Sequence, residues 1–273
     1  MCVARGARIR DRCCSHAVTL LAGPATQLTY LDMAFRRLAG VLCLVFLSSA
    51  CAQAMPPPVR DPLTPVIIVP GWELGCEPKG PADWAAWTTR AADYHSLSVT
   101  LMQPNPCEDN RITAAHLSDL IDQTLAETGA NKVTLVAHSM GALAARWCIR
   151  FGGCAHRVEA LITVAAANHG TIWANFCELA FWQQSACQMN PGSEFLQLLN
   201  SEDETWGDTT YVNFQSACDL TIVPFVSSWL DGAYNNLVDR CIGHSGWKTD
   251  QATIAWTYGW VQGGVDQPPT TMT

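Results

Sequence analysis

Ser139 stands in the middle of Ala137-His138-Ser139-Met140-Gly141, between an apolar run over Lys132–Ala137 and an alanine-rich stretch that reaches Phe151. The run reads as a strand and the stretch as a helix, which puts the serine on the corner between them. Strand and helix pass close together at such a corner, so the residues two before and two after the serine must be small. Ala137 and Gly141 meet that need. A hydroxyl there is exposed at the tip of a strained turn. The helix behind it offers unpaired N–H groups and the positive end of its dipole, which suit a developing oxyanion. The chemistry this points to is attack of a serine hydroxyl on a carbonyl, and it requires a base to take the proton. Small-x-Ser-x-Gly alone would arise by chance in about one chain in five of this length with ordinary composition. The strand before it and the helix after it are what discriminate.

A sheet must position these groups. Val66-Ile67-Ile68-Val69, ended by Pro70-Gly71, is a continuous apolar run that suits a strand buried on both faces. Residues 81–94 read as helical and Leu97–Met102 as the next strand. Ala114, Leu117, Ile121 and Leu125 recur at helical spacing, and Gly129 sits where that helix stops. Val158–Ala165 reads as another strand, and 168–208 as irregular and aromatic. Thr210–Gln215 and Val238–Ile242 read as late strands, with a last helix near 247–257. Strands alternating with helices predict an α/β fold with a mainly parallel central sheet flanked by helices. No internal repeat or second domain is visible.

A small-x-Ser-x-Gly corner in that setting is the nucleophile elbow of α/β-hydrolases, whose catalytic partners follow in the order serine, acid, histidine. His156, His169 and His244 follow Ser139. His156 precedes a strand, on the wrong side of the sheet. His169 comes too early to leave room for the acid. His244 lies past the final strand, in Ile242-Gly243-His244-Ser245-Gly246, and is the expected base. Among Asp203, Asp208, Asp219, Asp231 and Asp239, Asp219 directly follows a strand and is the expected acid, with Asp231 as the alternative. The oxyanion donors expected from position are the backbone N–H groups of Met140 and of Trp72, in the loop after the first strand.

Glu127-Thr128-Gly129-Ala130-Asn131-Lys132-Val133, leading into Val136–Gly141, resembles the small bacterial lipases of the Bacillus type, within the α/β-hydrolase superfamily. So do Ala167-Asn168, Leu230-Asp231-Gly232-Ala233 and Gly243-His244-Ser245-Gly246. The likeness runs from about Pro65 to Lys248. It implies a minimal α/β-hydrolase fold, a catalytic triad of Ser139, Asp219 and His244, oxyanion N–H groups at Trp72 and Met140, and hydrolysis of carboxylic esters or acylglycerols without a cofactor. Pro70-Gly71 departs from the family's usual His-Gly, and Val-Pro-Gly there also resembles the fungal lipase B type. Cysteines are far more numerous than in the Bacillus type. An insertion at about 169–208 carries Trp173, Phe176, Phe181, Trp182 and Trp206. It reads either as an aromatic flap beside Ser139 or as a surface loop with its own small core. His138, Trp173, Phe181 and Trp182 are the candidate substrate contacts.

The N-terminal 54 residues read as outside the folded domain. Met33 begins a charged, then apolar, then small-residue pattern ending at Ala52-Gln53-Ala54, which is that of a secretory signal. Residues 1–32 read as translation from a start codon assigned too early. Cleavage after Ala54 would release a free protein. Lipidation at Cys51 is the alternative, although Leu47 lies one place too far upstream for it. The apolar run Leu38–Leu47 is too short for a membrane span, which takes about 20 residues. From Met55 the chain keeps 219 of its 273 residues as one catalytic domain. Its 10 basic and 22 acidic residues give a net charge of −12. That balance excludes the electrostatic footprint of a nucleic-acid binder.

Eight cysteines remain in that part, an even number behind an export signal, and they predict disulfides. Neighbour pairing is the expectation: Cys76–Cys107, Cys148–Cys154, Cys177–Cys187 and Cys218–Cys241. The last would tie the acid loop to the base loop. None of the eight forms a tight Cys-x-x-Cys, so no metal is expected. The reading is a secreted, monomeric serine hydrolase acting on an ester or lipid, in transient contact with a lipid–water interface. An aliphatic polyester depolymerase or a short-chain esterase is the near alternative. A non-catalytic binding protein on the same fold is the distant one.

Overall fold

Four consecutive β-branched residues, Val66-Ile67-Ile68-Val69, favour an extended backbone and bury both faces of the strand they form. In a computed structural model of the chain, which describes residues 64–73, 75–78, 80–94, 97–179 and 183–263, this strand (β1, Val66–Val69) lies inside a sheet, second from one edge. The other strands are β2 (Val99–Leu101), β3 (Val133–His138), β4 (Val158–Val164), β5 (Thr210–Ser216) and β6 (Tyr234–Val238). Among the described residues these six form one sheet in the order β2-β1-β3-β4-β5-β6, every pair parallel. The described residues fall within one unit, Pro57–Thr273.

Alternation along β1 divides the core in two. Val66 and Ile68 face a cluster with Trp84, Trp87, Tyr258 and Trp260. Those residues come from helices α1 (Ala85–Arg90) and α6 (Gln251–Val261) and the turn before α1. Ile67 and Val69 face Leu117 and Ile121 of α2 (Asn110–Thr128) and Ala142, Ala145 and Ile149 of α3 (Gly141–Phe151). Each buried Val or Ile contributes about 1.5–3 kcal/mol, so substitution of any of the four by a charged residue would disrupt the sheet between β2 and β3. Because all strands run parallel, their C-terminal ends share one edge, where ligands bind in open α/β sheets. In register, Val69 pairs with Ala137 and His138 with Val164.

The parallel α/β architecture with its cysteine cross-links matches the fold class read from the sequence; beyond shifts of one or two residues at strand ends, the elements differ in four places. The helical stretch at 81–94 is composite: a 3-10 turn Pro81–Trp84, α1, and a second turn Ala91–Asp93. The final strand is Tyr234–Val238 rather than Val238–Ile242. Asn235 and Asn236 look like loop residues, yet their amides are bonded across the strands: Asn213 Nδ2 donates to Asn235 Oδ1 at 2.6 Å and Asn236 Nδ2 to the Asn213 carbonyl at 3.2 Å. The last helix starts at Gln251, later than expected, because the Asp250 carboxylate caps it by accepting from Thr253 N at 2.9 Å. The stretch 168–208 is only partly irregular. It holds a 3-10 segment Ile172–Leu179 and short helices α4 (Gln184–Gln188) and α5 (Glu194–Leu199).

Candidate active site

Ser139 follows the last residue of β3 with φ +57°, in the left-handed region that a non-glycine residue occupies only under constraint. The constraint is visible. Ser139 N donates to the Val164 carbonyl at 3.1 Å, and the Ser139 carbonyl accepts from Ala142 N and Ala167 N, both at 3.3 Å. A Cβ on Gly141 would overlap the carbonyl oxygens of Val69 and Pro70. A Cβ on Gly71 would lie 2.7 Å from the Ser139 Cβ, 2.8 Å from the His138 oxygen and 3.1 Å from Met140 N. The loop after β1 therefore packs directly on the elbow, and both glycines are required by space.

Ser139, His244 and Asp219 are brought into one hydrogen-bonded chain. Ser139 Oγ lies 2.9 Å from His244 Nε2, and His244 Nδ1 lies 2.9 Å from Asp219 Oδ2. With Asp219 accepting, Nδ1 carries the proton, so Nε2 is the acceptor for the serine hydroxyl. The other Asp219 oxygen accepts from Thr221 N at 2.8 Å and Ile222 N at 3.1 Å, and the carboxylate is wholly buried. Disulfide Cys218–Cys241 joins the loops that carry Asp219 and His244. Ser216 Oγ reinforces the join, accepting from Cys218 N at 3.2 Å and Ile242 N at 3.0 Å. Trp247, fully buried, accepts at its carbonyl from Trp87 Nε1 at 3.2 Å and anchors the His244–Lys248 turn. Asp231 is elsewhere: its N–H donates to Glu204 Oε2 at 2.7 Å, and His169 Nε2 bonds the same carboxylate at 2.7 Å. His156 is exposed in the turn before β4.

His138 packs against His244 and lines the cavity beside it. It is 4% exposed, and its Nε2–H donates to the His244 carbonyl at 2.9 Å. The two rings are 4.7 Å apart, and Trp84 meets the His138 ring edge-on. Burial, with the charges of His244 and Lys248, holds the His138 pKa well below its ordinary 6.5. Its imidazole stays neutral and keeps His244 in place.

The backbone N–H groups of Trp72 and Met140 donate to no acceptor among the described residues. Trp72, Ser139 and His244 line a cavity of about 320 Å³, and Met140 directly follows Ser139. Trp173, Phe176, Met189 and Ile222 supply apolar wall. Trp173 is 54% exposed, Phe176 59% and Leu220 76%, and Trp173 Nε1 donates to the Leu220 carbonyl at 2.8 Å. Of the expected contacts, His138 and Trp173 line this cavity, whereas Phe181 and Trp182 lie outside the described residues. Met189 and Ile222 were not foreseen, and Phe176 was noted only as one of the insertion's aromatics. The remaining cross-links are Cys76–Cys107, Cys148–Cys154 and Cys177–Cys187, with Cα separations of 5.2, 5.4 and 5.0 Å. Among the described residues no group of three or more His, Cys, Asp or Glu is placed to hold a metal ion, and no helix is long and apolar enough to cross a membrane.

Residues 91–235 match the family described as "Lipase (class 2)". Among solved structures, Aspergillus fumigatus lipase B superposes with TM-score 0.65 at 18% identity, over 76% of this chain and 54% of that one. Bacillus licheniformis lipase BlEst2 in its propeptide form gives 0.63 at 17%, over 80% and 54%. Its mature form gives 0.58 at 17%, over 76% and 96%. The chain thus spans about half the length of the first two and nearly all of the third. At these identities the likeness is one of fold. No curated protein sequence matches the chain.

Proposed function

The chain belongs to the class 2 lipase family, by a match over more than half of its length, and we propose that it is a secreted serine hydrolase that cleaves the carboxylic esters of lipids. The observation that carries this reading is the hydrogen-bonded chain Ser139–His244–Asp219 at the floor of an apolar cavity.

The reaction follows from that geometry. Ser139 Oγ attacks the ester carbonyl while His244 Nε2 takes its proton. The carbonyl electron pair becomes an oxyanion held by the N–H groups of Trp72 and Met140, a preorganised contribution of about 2.7–4 kcal/mol per donor. Asp219 fixes the His244 tautomer and stabilises the imidazolium. The intermediate collapses to an acyl-enzyme, and His244 gives the proton to the departing alcohol. Water, deprotonated by His244, then attacks the acyl carbon and restores Ser139 with release of the acid. Trp173, Phe176, Met189 and Ile222 offer the acyl chain an apolar wall. The exposed Trp173, Phe176 and Leu220 touch the lipid–water surface. The enzyme works as an exported monomer, and its four disulfides suit an oxidising compartment.

The test is hydrolysis of p-nitrophenyl esters from acetate to palmitate by the chain from Met55, folded under oxidising conditions, beside Ser139→Ala. Activity that depends on Ser139 and rises towards longer chains supports the reading. Activity confined to short esters makes it a small-substrate esterase. Full activity in Ser139→Ala, or no Ser139 labelling by a fluorophosphonate, refutes it.

A further inference from the structure

Trp72 is held from its side chain by a residue 111 positions away: its Nε1–H donates to Gln183 Oε1 at 2.7 Å. Gln183 is 8% exposed and immediately precedes α4. That helix is docked by amides and a carboxylate. Gln188 Oε1 accepts from Asn110 N at 2.9 Å and Asn110 Nδ2 at 2.7 Å. Gln188 Nε2 and Gln184 Nε2 donate to the two oxygens of Asp109 at 2.7 and 2.8 Å. Ser185 Oγ donates to the Pro106 carbonyl at 3.0 Å. The next residue, Cys107, is bonded to Cys76, four positions beyond Trp72. The contacts thus close a ring: Trp72, Cys76–Cys107, Asp109, α4, Gln183, and back to Trp72. The same helix contributes Ala186 to the cavity wall, and Met189 follows it there.

We infer that Gln183 is a positioning residue for the oxyanion site: its amide oxygen fixes the Trp72 indole and so the direction in which the Trp72 N–H points. This rests on the reading of that N–H as an oxyanion donor. The physical need is specific. Trp72 lies on a loop, and a donor on a loop must be held within about 0.5 Å of its productive place to act on the transition state. A displacement near 1 Å costs about a hundredfold in rate. Gly71, pressed on the elbow, fixes one side of Trp72; the indole, anchored to Gln183, fixes the other. A ground-state ester needs neither, so the contribution falls on kcat and not on KM.

The experiment compares Gln183→Met, which keeps length and removes the acceptor, with Gln183→Glu, which restores an acceptor oxygen. The full chain is exported into an oxidising compartment and assayed at pH 8. Two readouts are taken: kcat and KM on a p-nitrophenyl ester, and affinity for a trifluoromethyl ketone. That ketone bonds its carbonyl carbon to Ser139 Oγ, passes the serine proton to His244 Nε2, and leaves an oxyanion in the hole. In Gln183→Met, kcat and ketone affinity should both fall about tenfold to a hundredfold with KM unchanged, and Gln183→Glu should recover most of both. Trp72→Phe should lose as much, and the double variant no more than either single one. Wild-type kcat and ketone affinity in Gln183→Met overturn the inference while the serine-hydrolase reading stands. So does a loss in KM and melting temperature that Gln183→Glu fails to recover. Absence of Ser139-dependent hydrolysis in the wild type overturns both.

Discussion

Replacing Gly71 by alanine adds one methyl group at the most crowded point of the site. The Gly71 backbone lies outside the left-handed region, so alanine meets no torsional penalty and the effect is one of space alone. The new Cβ would sit 2.7 Å from the Ser139 Cβ, 2.8 Å from the His138 oxygen and 3.1 Å from Met140 N. All three atoms belong to the elbow or its first helical turn, and two are main chain, so no flexible side chain can swing away. The loop after β1 must retreat by several tenths of an ångström, and it takes the Trp72 N–H with it. Losing one oxyanion donor costs about 10²–10³ in kcat, or about 2.7–4 kcal/mol. Overpacking costs a further 1–3 kcal/mol or so of stability. The expected result is a fall in kcat/KM of about a hundredfold, carried by kcat.

The assay is kcat/KM on p-nitrophenyl butyrate well below the melting temperature, with active sites counted by fluorophosphonate so that unfolded protein is not mistaken for slow protein. Gly80→Ala is the control: a Cβ there meets nothing within 4 Å, and its φ of −72° suits alanine. Gly71→Ala with more than half the wild-type kcat and a normal melt would refute the argument that this contact sets the hole.

Asp219→Asn should lower kcat about 10³–10⁴-fold with the fold intact, because an amide facing His244 Nδ1 favours the wrong tautomer; Asp231→Asn, measured beside it, should leave kcat within about threefold. Removing both Cys218 and Cys241 opens a loop of sequence separation 23 and should cost about 3 kcal/mol by chain entropy, read as a lower urea midpoint. Trp173→Ala should flatten the acyl-length profile: each buried methylene is worth about 0.8 kcal/mol, about fourfold in kcat/KM, and the variant should lose that gain between butyrate and octanoate. His138 is held neutral in the fold, whereas the unfolded chain protonates it near 6.5. Stability is therefore full above that pH and is lost as pH falls below it towards the depressed folded value. His138→Gln, which keeps a donor to the His244 carbonyl, should flatten the dependence of the urea midpoint on pH between 7 and 5.

How far the molecule was legible in its sequence depends on the kind of force at each place. The sheet and its two layers of helices were readable because apolar burial leaves a period, as in Val66–Val69 or Ala114, Leu117 and Ile121. The serine corner was readable because a steric limit leaves small residues in set places, and the Gly141 contact with Val69 and Pro70 shows that limit directly. The sequence favours Asp219, which directly follows a strand, and leaves Asp231 as the alternative. The contacts that distinguish them leave no local pattern: Ser216 Oγ bonds both loops beside Asp219, and the Asp231 N–H donates to Glu204.

What stayed hidden is held by amides. Asn213, Asn235 and Asn236 fasten β6, Asn110, Gln184 and Gln188 fasten α4 to the start of α2, and Gln183 ties it to Trp72. Asn and Gln are uncharged, carry no hydrophobic period and are found in loops more often than in cores, so a sequence reading places them outside. Once buried, each must find its partner at a cost of about 1–3 kcal/mol if it fails. That demand makes an amide a precise fastener: it is satisfied in one arrangement and penalised in others. An apolar contact tolerates a sliding of several tenths of an ångström that a catalytic loop cannot. The amide ties thus fall in two places, within the sheet between β5 and β6 and outside it between α4, the start of α2 and Trp72.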